Sequence, residues 1–341
     1  MRKFWFSNRL MIAIGLMFIV SLLSASMIFE FVIEQDRTPP EKLLFDENNQ
    51  LIAIAPFPPS VQYPLGSDID GNSFFLKIID GAKYTIGLSL IIAFGRVSLS
   101  FLGGYLLFLM PSRFNKRINN LSDAFHYTPT TILTYVLIAP VVLTFSWSYD
   151  LTTKIIYPVI ILILVSAPVL SMYVRNELNL IYKKDYVITS KLMGANHFHL
   201  YRRHVSPFLK PKLLLMFVQQ VGQALIIFAH LGLLNIFIGG TETRLMDFDI
   251  ETGEPIYRHF SMSNEWSGLI SQNFEYAIPF PWMILAPVTA FASAILAVNS
   301  IAYGLKGPFE HYQSKTKTTI MKETASPVTK DKFQMIKKIS S

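Results

Sequence analysis

The chain has 341 residues, 51% of them apolar or aromatic, with no cysteine and a formal net charge of +7. A positive mean hydropathy is too high for a soluble domain, whose surface must be largely polar, and points to a membrane protein. The missing cysteine excludes disulfides, thiolate metal sites and thiol catalysis, and the basic residues fall between apolar runs, which favours anionic lipid headgroups over nucleic acid as their partner.

A helix needs about 20 mainly apolar residues to cross a bilayer, and six stretches meet or approach that length. They cover roughly 10–33, 84–110, 129–147, 155–174, 211–238 and 279–304, so the expected fold is an all-α polytopic membrane protein with six transmembrane helices. The first run is too long for a signal-peptide core and reads as a retained span. Lys and Arg then set the orientation, because cytoplasmic loops retain positive charge. Arg2, Lys3 and Arg9 place the N-terminus inside, as do Arg113, Lys116 and Arg117 for the second loop. Between spans four and five lie Arg175, Lys183, Lys184, Lys191, Arg202, Arg203, Lys210 and Lys212. By contrast 35–83 is acid-rich, and 239–278 carries Glu242, Asp247, Asp249, Glu251, Glu254, Glu265 and Glu275 against Arg244 and Arg258. The expected topology is N-in, C-in, with 1–34 holding the first span, 35–83 outside, a core over 84–307, and a Lys-rich cytoplasmic tail over 308–341 that reads as disordered.

In the first outer segment a Pro-rich piece gives way to residues 72–83, where Phe75, Ile78, Ile79 and Ala82 recur at helical spacing. This predicts an amphipathic helix on the outer leaflet, or else the start of an overlong second span. Arg96 falls near the middle of that span, where a charge costs roughly 3 kcal/mol and needs an acceptor, so it is expected to face the interior, toward a translocation path or a neighbouring helix. The acidic residues of this chain offer no evident mate, so a partner protein could supply one, or the side chain could snorkel to an interface. Gly103 and Gly104, with Ala290, Ser293, Ala294 and Ala297 in the last span, permit close helix packing.

In the fifth span Gln219, Gln223 and His230 share one helical face, within about 40° at 3.6 residues per turn. They are candidates either for a translocation path or for hydrogen bonds between helices. No second ligand lies at metal spacing from His230, and the acidic outer loop lacks the ligand pattern of a calcium-binding loop, so it reads as a solvated surface facing a partner.

The loop 175–212 is long and basic yet patterned as structure. Gly194 is suited to the left-handed conformation that ends a short helix, and Asn196 can cap the next, giving a helix-turn-helix beneath the membrane. Pro207 and Pro211 are expected to break the chain before the fifth span.

At these residues the sequence resembles the membrane-spanning subunits of ATP-binding-cassette importers, whose cytoplasmic signature runs Glu-Ala-Ala, then Gly after three residues, and later Ile-x-Leu-Pro. Here the Gly is Gly194 and the last Pro is Pro207; Ile188, Thr189 and Ser190 stand at the Glu-Ala-Ala positions, and His204 and Ser206 replace Ile and Leu. Pro64-Leu65-Gly66-Ser67-Asp68 through Gly71-Asn72, followed by Asp80-Gly81-Ala82-Lys83, is similar to a pattern in the C-type subunit of dipeptide and oligopeptide permeases. Glu265-Trp266-Ser267-Gly268-Leu269 is similar to that subunit's Ser-Trp-Gly segment. Phe228 stands where the family commonly has an acidic residue, and Leu233-Leu234-Asn235 replaces a Gly-rich exit, which marks a divergent member.

The resemblance implies a type I importer permease fold in the bacterial cytoplasmic membrane, with 186–207 as the coupling segment and Tyr186, Val187, Ser190, Gly194, Ala195, His204 and Pro207 in it. It further implies a second permease, two ATP-binding-cassette ATPase subunits and an extracytoplasmic solute-binding protein as partners, with peptides, metal chelates or nickel as cargo, or a non-transporting sensor or assembly subunit of the same fold. No P-loop is present, so any ATP is bound by the partner subunits and no cofactor is expected in this chain. Motifs of intramembrane enzymes are likewise absent.

Overall fold

The computed structural model describes residues 2–33, 42–45, 50–111, 124–125, 127–144, 148–248 and 252–324. Arg113, Lys116 and Arg117 lie outside the described residues, as does 325–341. Helix α1 (Arg2–Ile28) ends in a wide π turn, Phe29–Ile33. A small antiparallel hairpin follows, β1 (Leu43–Phe45) and β2 (Leu51–Ile54). Then come α2 (Phe74–Leu109), α3 (Thr130–Ala139) and α4 (Leu151–Tyr182). The short helices α5 (Asp185–Leu192) and α6 (His197–Leu200) lead into α7 (Ser206–Leu233). A second hairpin, β3 (Thr241–Phe248) with β4 (Pro255–Ser261), precedes α8 (Trp266–Gln272) and the final helix α9 (Trp282–Thr324).

Five helical stretches are long and apolar enough to cross a membrane, namely Asn8–Phe31, Phe74–Leu109, Leu151–Tyr182, Phe198–Leu233 and Trp282–Lys306. The third expected span is the exception. Thr130–Leu143 is a shorter apolar helix. Pro140 opens a π turn over Pro140–Thr144, because proline has no N–H and its ring crowds the carbonyl one turn back.

Four expectations are corrected. Residues 72–83 are not a separate amphipathic helix: from Phe74 onward they begin the single helix α2, about 54 Å long at 1.5 Å per residue and so longer than a hydrocarbon core. Pro207 and Pro211 do not break the chain, since Pro207 occupies the first turn of α7, where no helical N–H is lost, and Pro211 follows inside the helix. The acidic stretch after α7 pairs as a hairpin, Thr241 opposite Ser261 and Phe248 opposite Pro255, rather than forming a loop. The last helix runs to Thr324, well into the tail read as disordered, over residues that include the good helix formers Lys, Glu and Met.

The main core joins α1, α2, α7, α8 and α9 around Phe74, Ile86, Ile92, Leu225, Phe228 and Trp266. A second core at the opposite end gathers Val174, Leu178, Ile181, Val205, Leu209 and Met216 where α4 meets the start of α7. As expected from the small residues, helices approach closely: a Cβ on Gly104 would lie 2.7 Å from the Ser171 carbonyl oxygen of α4. Ala297 of α9 likewise sits against Gly15 of α1.

Candidate functional site

The turn between α5 and α6 is built by the backbone. Gly194 has φ +85°, and its N–H donates to the Lys191 carbonyl (3.1 Å) while the Ala195 N–H donates to the Ser190 carbonyl (3.1 Å). This paired closure is a Schellman motif, which requires a residue tolerant of the left-handed region at Gly194. The next short helix starts at Asn196, whose backbone carbonyl accepts the Leu200 N–H at 3.0 Å. A π turn, Tyr201–Val205, then carries the chain into α7 without a break.

Side chains lock the two halves together. The His204 Nε2 lies 3.2 Å from the Ser190 hydroxyl, and the Tyr186 ring packs against His204 (5.7 Å) and Phe208 (5.9 Å). Lys184 sets its ammonium over the Phe208 ring at 4.3 Å, and Val187 is buried beneath. Tyr186, Ser190 and His204 therefore meet, with Val187 buried and Gly194 and Ala195 forming the turn; Pro207 lies exposed at the head of α7. Leu192 and Met193 are each 83% exposed and Phe198 70%, an apolar tip left open among the described residues.

The polar residues of the apolar helices divide into two groups. Arg96 is fully buried, its Nε–H donating to the Leu162 carbonyl of α4 (2.9 Å) and its Nη1–H to Gln220 Oε1 of α7 (3.1 Å). Its acceptors thus come from neighbouring helices of this chain, as the interior reading expects, rather than from a partner or by an escape to the interface. Nη2 has no acceptor among the described residues. Gln219, Gln223 and His230 lie on a different, exposed face of α7, where His230 Nδ1 is 3.5 Å from Thr131 Oγ1. Arg96 does not join them. Gln220 is the residue that sequence reasoning missed, because it is one position out of phase with the polar face.

At the other end, the two stretches resembling permease motifs meet in space. Asp80 Oδ1 pairs with Lys83 (2.8 Å), and Asp80 Oδ2 accepts from the Asn264 amide (2.7 Å). Lys83 also reaches Glu30 of the first helix's π turn (3.2 Å). The fully buried Trp266 donates from its indole to the Ile78 carbonyl (2.9 Å) and from its backbone to Thr85 Oγ1 (3.1 Å). Before α2, Asp68 Oδ1 accepts the Asp70 and Asn72 backbone amides and Oδ2 pairs with Lys77, fixing the entry of that helix.

Residues 97–310, more than half of the chain, match the family described as the binding-protein-dependent transport system inner membrane component. The chain belongs to this family. It is similar to a Brucella abortus protein named as a peptide permease, 26% identical over 257 residues, 74% of each chain. It is also similar to the Haemophilus influenzae peptide transport system permease protein SapC, 23% identical over 79% of this chain and 83% of that one. The Pseudomonas aeruginosa di/tripeptide transport system permease protein DppC is 24% identical over 77% and 78%. As an inner-membrane transport component, this chain is a multi-pass membrane protein and not itself an enzyme.

In this inner-membrane component Glu265, just before α8, is fully buried; the Gly239 amide donates to its Oε2 at 2.5 Å, while Oε1 has no partner among the described residues. Burial pushes its carboxyl up to about 8, against the Gly239 and Ile238 amides and the Ser267 hydroxyl, which favour the charged form. The folded chain then holds this proton more tightly than the unfolded one, so its contribution to stability falls as pH rises from the ordinary carboxyl range through about 8. Glu265→Gln is expected to raise the thermal unfolding temperature of the detergent-solubilised protein at about pH 9 and leave it little changed at about pH 5. Equal shifts at both would contradict this reading.

Proposed function

We propose that the chain is a permease subunit of an ATP-driven peptide importer, with six membrane helices, α3 completing the set, and both termini in the cytoplasm. The observation that carries this reading is the folded 185–205 segment, whose apolar tip of Leu192, Met193 and Phe198 projects from a locked helix pair running straight into α7. Lys184, Lys191, Arg202 and Arg203 around it support a cytoplasmic position. A pair of ATPase subunits, which bind the ATP, would hold this tip and move it.

The exposed Gln219, Gln223 and His230 face suits a wetted path shared with a second permease, since hydrocarbon cannot satisfy such groups. The outer connectors 35–73 and 239–281 would receive the solute-binding protein. Peptides are the cargo that the names of similar proteins suggest. The test is uptake of labelled tri-alanine in cells deleted for this gene. The wild-type chain should restore uptake only when the companion ATPase keeps its P-loop lysine. Uptake that persists without nucleotide hydrolysis would overturn the proposal.

A further inference from the structure

Helix α7 runs from the locked turn at one end to α8 at the other, and its middle is held in an unusual way. Gln220 lies at the centre of α7, about 20 Å by helical rise from either end. Its side-chain oxygen accepts from Arg96 of α2, whose Nε–H is fixed on the Leu162 carbonyl of α4. Gly95, beside Arg96, lets α4 come close enough for this, since a Cβ there would lie 2.5 Å from Ile163. One guanidinium thus ties three helices at a single level. Because the cation has no carboxylate partner among the described residues and is fully buried, losing either acceptor is costly, so the tie resists separation more than an apolar contact would.

The two ends of α7 are joined to the neighbouring segments by contacts equally specific. At the inner end His204 meets Ser190 and Tyr186 meets Phe208. At the outer end Gly232 presses on Ser267 of α8, where a Cβ would fall 2.6 Å from the Ser267 carbonyl oxygen, and Ser271 bonds Asn235. A stiff rod held at its centre and gripped at both ends tilts about that centre.

We propose that the Arg96–Gln220–Leu162 tie is the fulcrum on which α7 pivots, so that displacement of the 185–205 segment moves the outer end of α7, at Leu233 and Leu234, the opposite way. Arg96 and Gln220 are positioning residues in this scheme. They act through α7 and touch no cargo. The inference rests on the functional reading above.

The test uses the assembled complex in liposomes, with Leu234→Cys at the outer end of α7 as the reporter; the chain has no native cysteine. The rate of labelling by a membrane-impermeant maleimide is measured with and without ATP and vanadate. In the otherwise wild-type chain nucleotide should change the rate. The double variant Arg96→Met/Gln220→Leu replaces both partners by apolar groups of similar size, which spares the fold. It should hydrolyse ATP at a rate within about twofold of wild type and lose most of the nucleotide-dependent change in labelling, whereas a merely structural role would lower both with the amount of complex. Gln220→Glu, which keeps an acceptor at the same place, should retain the change. A response in the double variant equal to wild type overturns the fulcrum and leaves the functional reading intact. Absence of ATP hydrolysis by the wild-type complex overturns both.

Discussion

Leucine at position 81 is expected to leave almost no assembled protein in the membrane. A Cβ on Gly81 would fall 1.8 Å from the Asn264 carbonyl oxygen and 2.7 Å from its carbonyl carbon. These are backbone atoms, and they cannot rotate aside. The same Asn264 donates to Asp80, and the next two residues are the buried Glu265 and Trp266. Any retreat of that backbone therefore breaks the Asp80 bond and lifts the Trp266 indole from the Ile78 carbonyl. Overpacking alone costs about 1–3 kcal/mol, and the lost bonds of buried groups raise the total beyond that. The control is Gly87→Leu on the same helix, where nothing lies within 4 Å of a built Cβ. Fluorescence-detected size exclusion of the two variants should show a folded peak for Gly87→Leu and loss of it for Gly81→Leu; similar peaks would refute the packing described for α2 against α8.

The second large effect is expected at the exposed turn between α5 and α6. Leu192→Asp with Met193→Asp places two charges on largely exposed side chains, so insertion and thermal stability should match wild type. Association with the ATPase should fall by about 30-fold or more, the scale of losing about 2 kcal/mol from a central interface anchor. Co-purification of the ATPase with the tagged chain reads this directly. Undiminished recovery would remove the tip from the docking surface. Gly194→Val gives a complementary result: space around the glycine is open, so its cost is the left-handed backbone alone, about 1–3 kcal/mol, with the ATPase contact weakened but not lost.

What the sequence displays most openly is what has a local physical cause. Apolar length marks five of the six stretches, and the positive-φ turn is legible in Gly194 because few other residues end a helix in that way. The side chains around the turn follow, since Tyr186, Ser190 and His204 lie close in the chain. Long-range pairing has no such trace. Nothing near Arg96 announces that Gln220, far along the chain, supplies its acceptor, and a search by helical phase selects Gln219 and Gln223 instead. The charges Asp80 and Lys83 look like a helix boundary when read alone. Paired with each other and with Asn264, they sit comfortably inside one long helix. Strand pairing over Thr241–Ser261 is hidden for the same reason, because acidic content suggests a solvated loop while cross-strand partners are visible only in three dimensions.

The uncovered carboxamides of Gln219 and Gln223 bear on the life of the subunit before it finds its companion. Among the described residues neither makes a hydrogen bond, and lipid tails offer none in exchange. A copy surrounded by lipid alone therefore carries two amides that hydrocarbon leaves unsatisfied, a cost that a polar partner surface or water would remove.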